Sequence, residues 1–235
     1  MWYNNEQVKL GVMMMEQKPM FITFEGVDGC GKSTQLRFLA EYLEGLGLEV
    51  VRTREPGGSL VAEKIRSLLL DKENMEMAAE TEALLYAASR REHLGKVILP
   101  GLNSGKIVLC DRYVFSSYAY QGYGRELGLE KVEEINKHAI DGILPDLTFL
   151  ISLPYEEAMK RMLRDNKDLD RLESETPEFH ERVWKGFELL AIEHGDRIVK
   201  IDVAPSQSKF TTADQIKNIF IERYKALEPK QYGKK

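Results

Sequence analysis

Cysteine is scarce in this chain of 235 residues, which contains only Cys30 and Cys110. Two cysteines so far apart in sequence do not provide a disulfide framework or a zinc site. No apolar run approaches the roughly 20 residues that a membrane-spanning helix needs. These absences favour a reducing compartment and argue against a membrane partner. We therefore expect the protein to be cytoplasmic.

An excess of positive charge is also missing, since the formal net charge is -5. A broad nucleic-acid-binding face would need clustered lysine and arginine, so we expect no nucleic-acid partner. Hydrophobic residues make up 43% of the chain and charged residues 30%, which is typical of a globular protein. We expect a single domain over residues 20–235. Residues 1–19 form an N-terminal extension that we expect to be disordered or derived from cloning.

Short apolar or β-branched runs alternate along the chain with segments of helical periodicity. The predicted strands are 21–24, 48–53, 107–110, 147–151 and 197–203. The predicted helices are 32–46, 59–70, 80–102, 113–122, 129–141, 154–164, 177–194 and 210–227. This alternation predicts an α/β three-layer sandwich in which helices flank a five-stranded parallel sheet. A charge-dense segment near residues 161–175 loses apolar periodicity and is predicted to be a short mobile lid.

The segment between the first predicted strand and the first predicted helix is rich in glycine. Its spacing of a glycine, four residues and then Gly-Lys-Ser is that of a P-loop, and the strand and helix around it fit. Backbone N–H groups of such a loop surround phosphates at the positive end of the helix. Lys32 would reach the β- and γ-phosphates of ATP, and Ser33 would ligate Mg²⁺. The predicted ATP-binding residues are Gly26, Val27, Asp28, Gly29, Cys30, Gly31, Lys32, Ser33 and Thr34.

Asp111 and Arg112 follow the third predicted strand, at the sheet edge where the P-loop is also expected. Asp111 could organise Mg²⁺ or its waters, and Arg112 could bind an anionic substrate. A small-molecule kinase, a GTPase, and an ATPase motor or non-catalytic nucleotide-binding module all share such features. The guanine-reading Asn-Lys-x-Asp of GTPases is not matched, because residues 166–169 read Asn-Lys-Asp-Leu and lie in the charged segment.

Several blocks of sequence occur in the order typical of one kinase family, from Met20 to about Tyr224. The blocks are residues 24–29 before the P-loop, 53–58 (Thr-Arg-Glu-Pro-Gly-Gly), 111–113 with 116–117 and 119–122, 145–148, and 170–173. On these blocks the chain resembles the thymidylate kinases, which are P-loop nucleoside monophosphate kinases. The resemblance implies a homodimer that uses Mg²⁺ and transfers the γ-phosphoryl group of ATP to dTMP, giving dTDP and ADP for dTTP biosynthesis. A kinase for another nucleoside or monophosphate, or a non-catalytic nucleotide-binding module, is the alternative.

The resemblance also assigns roles at the acceptor site. Tyr86 would stack on thymine and Arg90 would read a base carbonyl, which suits a flat aromatic ring and a guanidinium fork. Without the resemblance, Tyr86 would more often be a core residue. Arg112 would bind the acceptor phosphate, with Arg54 nearby. The remaining residues expected around the thymine and sugar are Asp28, Ser116, Ser117, Tyr120 and Gln121, although helix capping is the simpler role for the two serines.

One branch of the family carries an arginine inside the P-loop, whereas position 29 is glycine here. The resemblance therefore implies that the lid supplies the missing charge. We expect Arg161 and Arg164 to be catalytic together with Lys32 and Arg112, by stabilising the transferring phosphoryl group. The other lid cations are Lys167 and Arg171. The alternative is a solvated helix face, paired with Asp165, Asp168 and Asp170. Ser152 stands where members of the family commonly carry aspartate.

Overall fold

Five parallel strands form the centre of the computed structural model, which describes residues 17–164, 169–227 and 232. The strands are β1 Met20–Glu25, β2 Val50–Arg54, β3 Ile107–Asp111, β4 Leu147–Ser152 and β5 Ile198–Asp202. They pair in the spatial order β2-β3-β1-β4-β5, and every pairing is parallel. The predicted α/β fold with a five-stranded parallel sheet is confirmed.

Helices flank this sheet. The α-helices of the described residues are α1 Lys32–Gly45, α2 Leu60–Leu70, α3 Ala79–His93, α4 Leu99–Asn103, α5 Val114–Ser117, α6 Leu129–Ile140, α7 Tyr155–Arg164, α8 Pro177–Glu193 and α9 Lys209–Ala226. Every residue of β1 and β4 is buried, as expected for strands covered on both faces. Because β1 lies between β3 and β4, its carboxyl end is at the middle of the sheet edge, where a phosphate-binding loop can meet ligands from both sides.

Two of the predicted helices contain wider, π-type turns. The expected helix 80–102 consists of α3, a π-type turn at Leu94–Ile98 and then α4. Pro100 has no N–H to donate to the preceding turn, so a regular α-helix cannot run through this point. The expected helix 113–122 begins as α5 and continues as a π-type turn at Tyr118–Gly124. This turn packs tightly on α8, since a Cβ at Gly124 would lie 2.7 Å from the Val183 side chain.

The described contacts of the domain reach back to Gln17, whose side chain donates to the carbonyl groups of Glu49 and Gly105. Lys18 Nζ donates to the carbonyl of Leu227, beyond the end of α9. The expectation for residues 1–16 lies outside the described residues. No helix in the described part of the chain is long and apolar enough to cross a bilayer.

Candidate active site

The P-loop connects β1 to α1 and is shaped by glycines with positive φ. Gly26, Gly29 and Gly31 have φ values of 134°, 79° and 102°, a region that other residues seldom adopt. A Cβ at Gly29 would lie only 2.4 Å from the Ala158 carbonyl oxygen, so α7 packs directly on the loop. Position 29 therefore has no room for the arginine found in one branch of the resembled family.

Lys32 and Ser33 begin α1 at the edge of the sheet. Lys32 Nζ lies 3.2 Å from the Val27 carbonyl oxygen and 3.7 Å from Asp28 Oδ1. The Ser33 hydroxyl donates to Asp111 Oδ2, at the end of β3. Hydroxyl and carboxylate oxygens are the ligands that Mg²⁺ prefers, and Mg²⁺ is commonly held by one or two carboxylates together with phosphates. The two residues fit the magnesium site predicted for them.

Arg112 lies at the centre of the polar network beyond β3. Its Nη1 donates to the Gly26 carbonyl and to Ser116 Oγ, at 2.9 and 3.1 Å. Its Nη2 donates to Asp28 Oδ1 and to the Tyr120 hydroxyl, at 2.6 and 3.0 Å. Its backbone has a φ of 71°, which is unusual for a residue other than glycine and directs this side chain toward the P-loop. Arg112 thus connects β3 to the P-loop before any ligand binds.

Asp28 is the acidic partner in this network. Tyr120 also donates to it, with 2.7 Å between the hydroxyl and Oδ2. Burial alone would raise the pKa of Asp28, but the charges of Arg112 and Lys32 hold that pKa well below its usual range. Asp28 is therefore a carboxylate at neutral pH, able to accept a hydrogen bond from a ligand hydroxyl.

A cavity of about 230 Å³ opens beside this network. It is lined by every residue predicted to bind the acceptor, together with Lys32, Ser33 and Asp111. Those acceptor residues are Asp28, Arg54, Tyr86, Arg90, Arg112, Ser116, Ser117, Tyr120 and Gln121. We call it the acceptor cavity. The structure therefore brings together residues that are spread over about 90 positions of the sequence.

A second cavity, of about 450 Å³, lies on the other side of the P-loop. It is lined by P-loop residues and by the segment between β5 and α9. The residues on this segment and the start of α9 are Val203, Gln207, Lys209 and Thr212. The two cavities share Glu173 and the P-loop residues Asp28, Lys32 and Ser33, so their ligands would meet over the P-loop. We call it the donor cavity.

Comparisons with known proteins show the family of the chain. The sequence model of the family described as "Thymidylate kinase" matches residues 24–213. The chain belongs to the thymidylate kinase family. It is 48% identical over 204 residues to a thymidylate kinase of an Exiguobacterium species, which covers 87% of this chain and 95% of the relative. It is 52% identical over 185 residues to that of a Thermoanaerobacter species, covering 79% of this chain and 90% of the relative.

A solved structure also matches the fold. The crystal structure of thymidylate kinase from Ehrlichia chaffeensis superposes with a TM-score of 0.69 at 36% sequence identity. The match covers 86% of this chain and 98% of that chain. Sequence and structure thus agree on a nucleoside monophosphate kinase over most of the chain length.

In this thymidylate kinase family member, Tyr86 and Arg90 line the acceptor cavity from α3. Tyr86 is only 9% exposed, so it packs with the core and also lines the cavity. Arg90 is buried and donates to Glu55, Ser117, Asn136 and the Tyr113 carbonyl. A guanidinium has five N–H groups. Among the described hydrogen bonds, one Nη2 hydrogen of Arg90 is thus left for a ligand.

Two arginines bring positive charge to the same cavity from β2 and α2. Arg54 and Arg66 both donate to the Pro56 carbonyl, at 3.0 and 2.9 Å. Burial lowers the pKa of the Arg66 guanidinium, and the neighbouring charge of Arg54 lowers it further. Two adjacent cations favour a bound anion such as a phosphate. Sequence analysis missed Arg66, because nothing in the helical pattern of residues 59–70 separates it from a surface arginine.

Glu25 is a second residue that sequence analysis left without a role. It is 1% exposed and accepts hydrogen bonds from the Tyr113 N–H and the Ser116 hydroxyl, at 2.8 and 2.5 Å. Burial raises the pKa of Glu25 to about 7. Tyr113 is the residue after Arg112, and Ser116 accepts a hydrogen bond from Arg112. Through these two residues, Glu25 helps to fix the position of Arg112. A single charged residue at the end of the apolar strand β1 is the sequence signal that could have indicated it.

The lid residues are placed unequally. Arg161 lines the donor cavity, and its Nη2 lies 3.3 Å from the Pro205 carbonyl oxygen. Arg164 is exposed, contacts the Lys160 carbonyl of its own helix and lines neither cavity. Arg171 is buried and donates to the Leu69 carbonyl and Glu82. Lys167, Asp165 and Asp168 lie outside the described residues.

Two further expectations concern carboxylates. Asp170 lies in the segment before α8, outside the described helices. Its Oδ1 accepts from the N–H groups of Leu172 and Glu173 in the turn before α8. Ser152 donates to Glu188 of α8, at 2.7 Å. The Glu188 carboxylate therefore lies next to Ser152, the position at which the resemblance implied an aspartate.

Proposed function

We propose that this kinase transfers the γ-phosphoryl group of ATP to dTMP, giving dTDP and ADP, with Mg²⁺ and in the cytoplasm. The observation that carries the proposal is the acceptor cavity, which gathers all the acceptor-binding residues expected from the family and meets the donor cavity at Asp28, Lys32 and Ser33. A hydrolase would not need a second, shaped nucleotide site.

The donor phosphates would lie in the P-loop. Backbone N–H groups at the start of α1 and the Lys32 ammonium would bind their oxygens. The donor cavity, lined by Gln207, Lys209 and Thr212, would hold the nucleoside part of ATP. Ser33 and Asp111 would hold Mg²⁺, which neutralises charge on the phosphates during transfer.

The acceptor phosphate would be bound by Arg112, with Arg54 and Arg66 adding positive charge. Arg112 is already oriented by Asp28 and Ser116, so little ordering is needed when the ligand arrives. Tyr86 would cover one face of the thymine, and the free N–H of Arg90 would reach a base carbonyl. These contacts fix the nucleotide at both ends.

The reaction needs no covalent enzyme intermediate. An oxygen of the acceptor phosphate would attack the γ-phosphorus in line, while Lys32 and Arg112 stabilise charge on the equatorial oxygens. Arg161 lines the donor cavity and would add to this stabilisation, and Arg164 would join it only if the lid segment moves. Closure of residues near 161–175 would also exclude water, which would otherwise accept the phosphoryl group.

We also propose that the kinase is a homodimer. Apolar side chains are exposed on α2 and α3, where Leu60 is 78% exposed and Leu84 57%. Val61 and Leu68 extend this surface along α2. Light scattering after gel filtration measures the mass directly, and a mass near 27 kDa would contradict the dimer.

A coupled assay of ADP release tests the proposed reaction. Purified protein is supplied with ATP, Mg²⁺ and, in turn, a panel of nucleosides and nucleoside monophosphates. We expect the highest kcat/KM with dTMP and no turnover without a divalent cation. A higher kcat/KM with another acceptor would contradict the proposed substrate, and tight ATP binding without turnover of any acceptor would contradict the proposed catalysis.

A further inference from the structure

Glu82 is a fully buried carboxylate next to the acceptor cavity, and it has no role in the account above. It lies in the first turn of α3 and is 0% exposed. Its Oε1 accepts hydrogen bonds from Gln121 Nε2, at 2.9 Å, and from Arg125 Nε, at 3.2 Å. Its Oε2 accepts from Arg125 Nη2 and Arg171 Nη2, at 2.9 and 2.7 Å. One buried carboxylate thus connects α3, the π-type turn after α5 and the segment before α8.

The two arginines hold this carboxylate in a fixed position. Arg171 also donates to the Leu69 carbonyl, at 2.6 Å. Arg125 forms a second ion pair with Glu175, at 2.6 Å, and its guanidinium lies over the Phe179 ring. Both cations are therefore anchored by contacts other than Glu82. The carboxylate cannot rotate without losing hydrogen bonds to a buried charge, which is costly.

Glu82 is ionised in this setting. Burial alone would raise its pKa, but the hydrogen bond and charge of Arg125, with Gln121 and Arg171, bring the pKa below its usual value. An ionised carboxylate only accepts hydrogen bonds. The side-chain amide of Gln121 can therefore point only its NH₂ group at Glu82. Its carbonyl oxygen is left at the other end of the amide.

Gln121 lines the acceptor cavity, and its carbonyl oxygen accepts none of the described side-chain hydrogen bonds. We infer that Glu82 is a positioning residue that determines base specificity, because it makes Gln121 present a hydrogen-bond acceptor to the base. Such an acceptor suits a pyrimidine ring that carries an N–H, as thymine and uracil do at N3. Cytosine has a bare acceptor nitrogen there and is disfavoured. This inference rests on the proposed function, since it concerns the same cavity.

Glu82→Gln would invert the arrangement. The Oε2 position lies close to three arginine N–H groups, at 2.7, 2.9 and 3.3 Å, whereas the Oε1 position lies close to one, Arg125 Nε at 3.2 Å. Because arginines only donate, the new carbonyl would take the Oε2 position and the new NH₂ group would face Gln121. Gln121 would then turn its carbonyl toward residue 82 and its NH₂ group toward the base. The N3–H of thymine or uracil would then face another donor, which is unfavourable. The N3 of cytosine is an acceptor and could bind this donor.

The test compares kcat/KM for dUMP and dCMP, whose rings differ only at the 3 and 4 positions. We expect Glu82→Gln to lower the ratio of dUMP to dCMP about tenfold or more, and to raise KM for dTMP while KM for ATP stays unchanged. Because the ratio comes from one enzyme sample, it does not depend on the fraction of folded protein. Glu80→Gln is the matched control, since Glu80 lies on the same turn, is exposed and pairs with Lys131. It should keep the wild-type ratio.

A rescue variant sharpens the test. In Glu82→Gln combined with Gln121→Glu, the residue at 82 donates and the carboxylate at 121 again presents an oxygen acceptor to the base. We expect this double variant to recover preference for dUMP over dCMP. An unchanged ratio in Glu82→Gln, with dTMP still preferred by the wild-type enzyme, would overturn the inference and leave the proposed function intact. Failure of the wild-type enzyme to use dTMP would overturn both.

Discussion

Replacing Glu25 with glutamine removes a titrating group from the end of β1 with almost no change in size. Glu25 accepts from two donors, the Tyr113 N–H and the Ser116 hydroxyl. A glutamine side chain has one acceptor oxygen and one NH₂ group, so it can accept from only one of these two donors in the same way. Its NH₂ group would face the other donor. Because both donors support Arg112, we expect changes in the pH dependence of stability and in acceptor binding.

The size of the pH effect follows from the burial of Glu25. Its pKa rises from 4.5 to about 7 on folding, because desolvation outweighs the hydrogen bond from Ser116 and the charge of Arg112. The folded state therefore binds the proton more tightly. This contribution to the free energy of unfolding is complete below about pH 4.5 and is lost as the pH rises through about 7. The whole effect is about 3 kcal/mol, of which about 2.5 kcal/mol falls between pH 5 and pH 8.

Urea unfolding at pH 5 and pH 8 measures this effect. At each pH, the free energy of unfolding of Glu25→Gln is subtracted from that of the wild type. We expect this difference to be about 2.5 kcal/mol smaller at pH 8 than at pH 5. At pH 8 the variant should also show a raised KM for dTMP. Glu41→Gln, at an exposed position on α1, is the control. The same wild-type-minus-variant difference at both pH values would refute the reasoning.

The remaining predictions concern the ligands. Arg112→Lys should lower kcat/KM for dTMP about a hundredfold with little change in KM for ATP, since an ammonium cannot replace the guanidinium fork; equal losses for both substrates would contradict this. Tyr86→Ala should raise KM for dTMP about tenfold, and if only the melting temperature fell, Tyr86 would be a core residue alone. Arg164→Ala should lower kcat more than it weakens ATP binding, and an unchanged kcat would remove Arg164 from the mechanism.

The fold was predictable because the strands are buried on both faces. Runs such as Phe21–Phe24 leave no doubt about strand position, and the helices between them force a parallel sheet. The sequence contains a weaker indication that the predicted helix 80–102 is interrupted, and Pro100 is the residue that indicates it. The π-type turn at Tyr118–Gly124 depends on close contact with α8, which no local pattern encodes.

The placement of the candidate site residues was predictable where the local sequence contains a recognisable motif. The P-loop and Arg112 stand directly after strands, so their neighbours in space follow from the topology. Glu82 was missed because its partners lie far away in sequence, and Arg66 was missed because the helical pattern of residues 59–70 does not separate it from a surface arginine. Glu82 reads as an ordinary acidic residue in the first turn of a helix, and only the fold brings Arg125 and Arg171 against it.

A crystal structure with dTMP, ADP and Mg²⁺ would test the central claim most directly. The account predicts the dTMP phosphate within hydrogen-bond distance of Arg112, the thymine ring against Tyr86 and its N3–H pointing at the Gln121 carbonyl. A monophosphate bound outside the acceptor cavity, or a thymine ring away from Tyr86, would contradict the account.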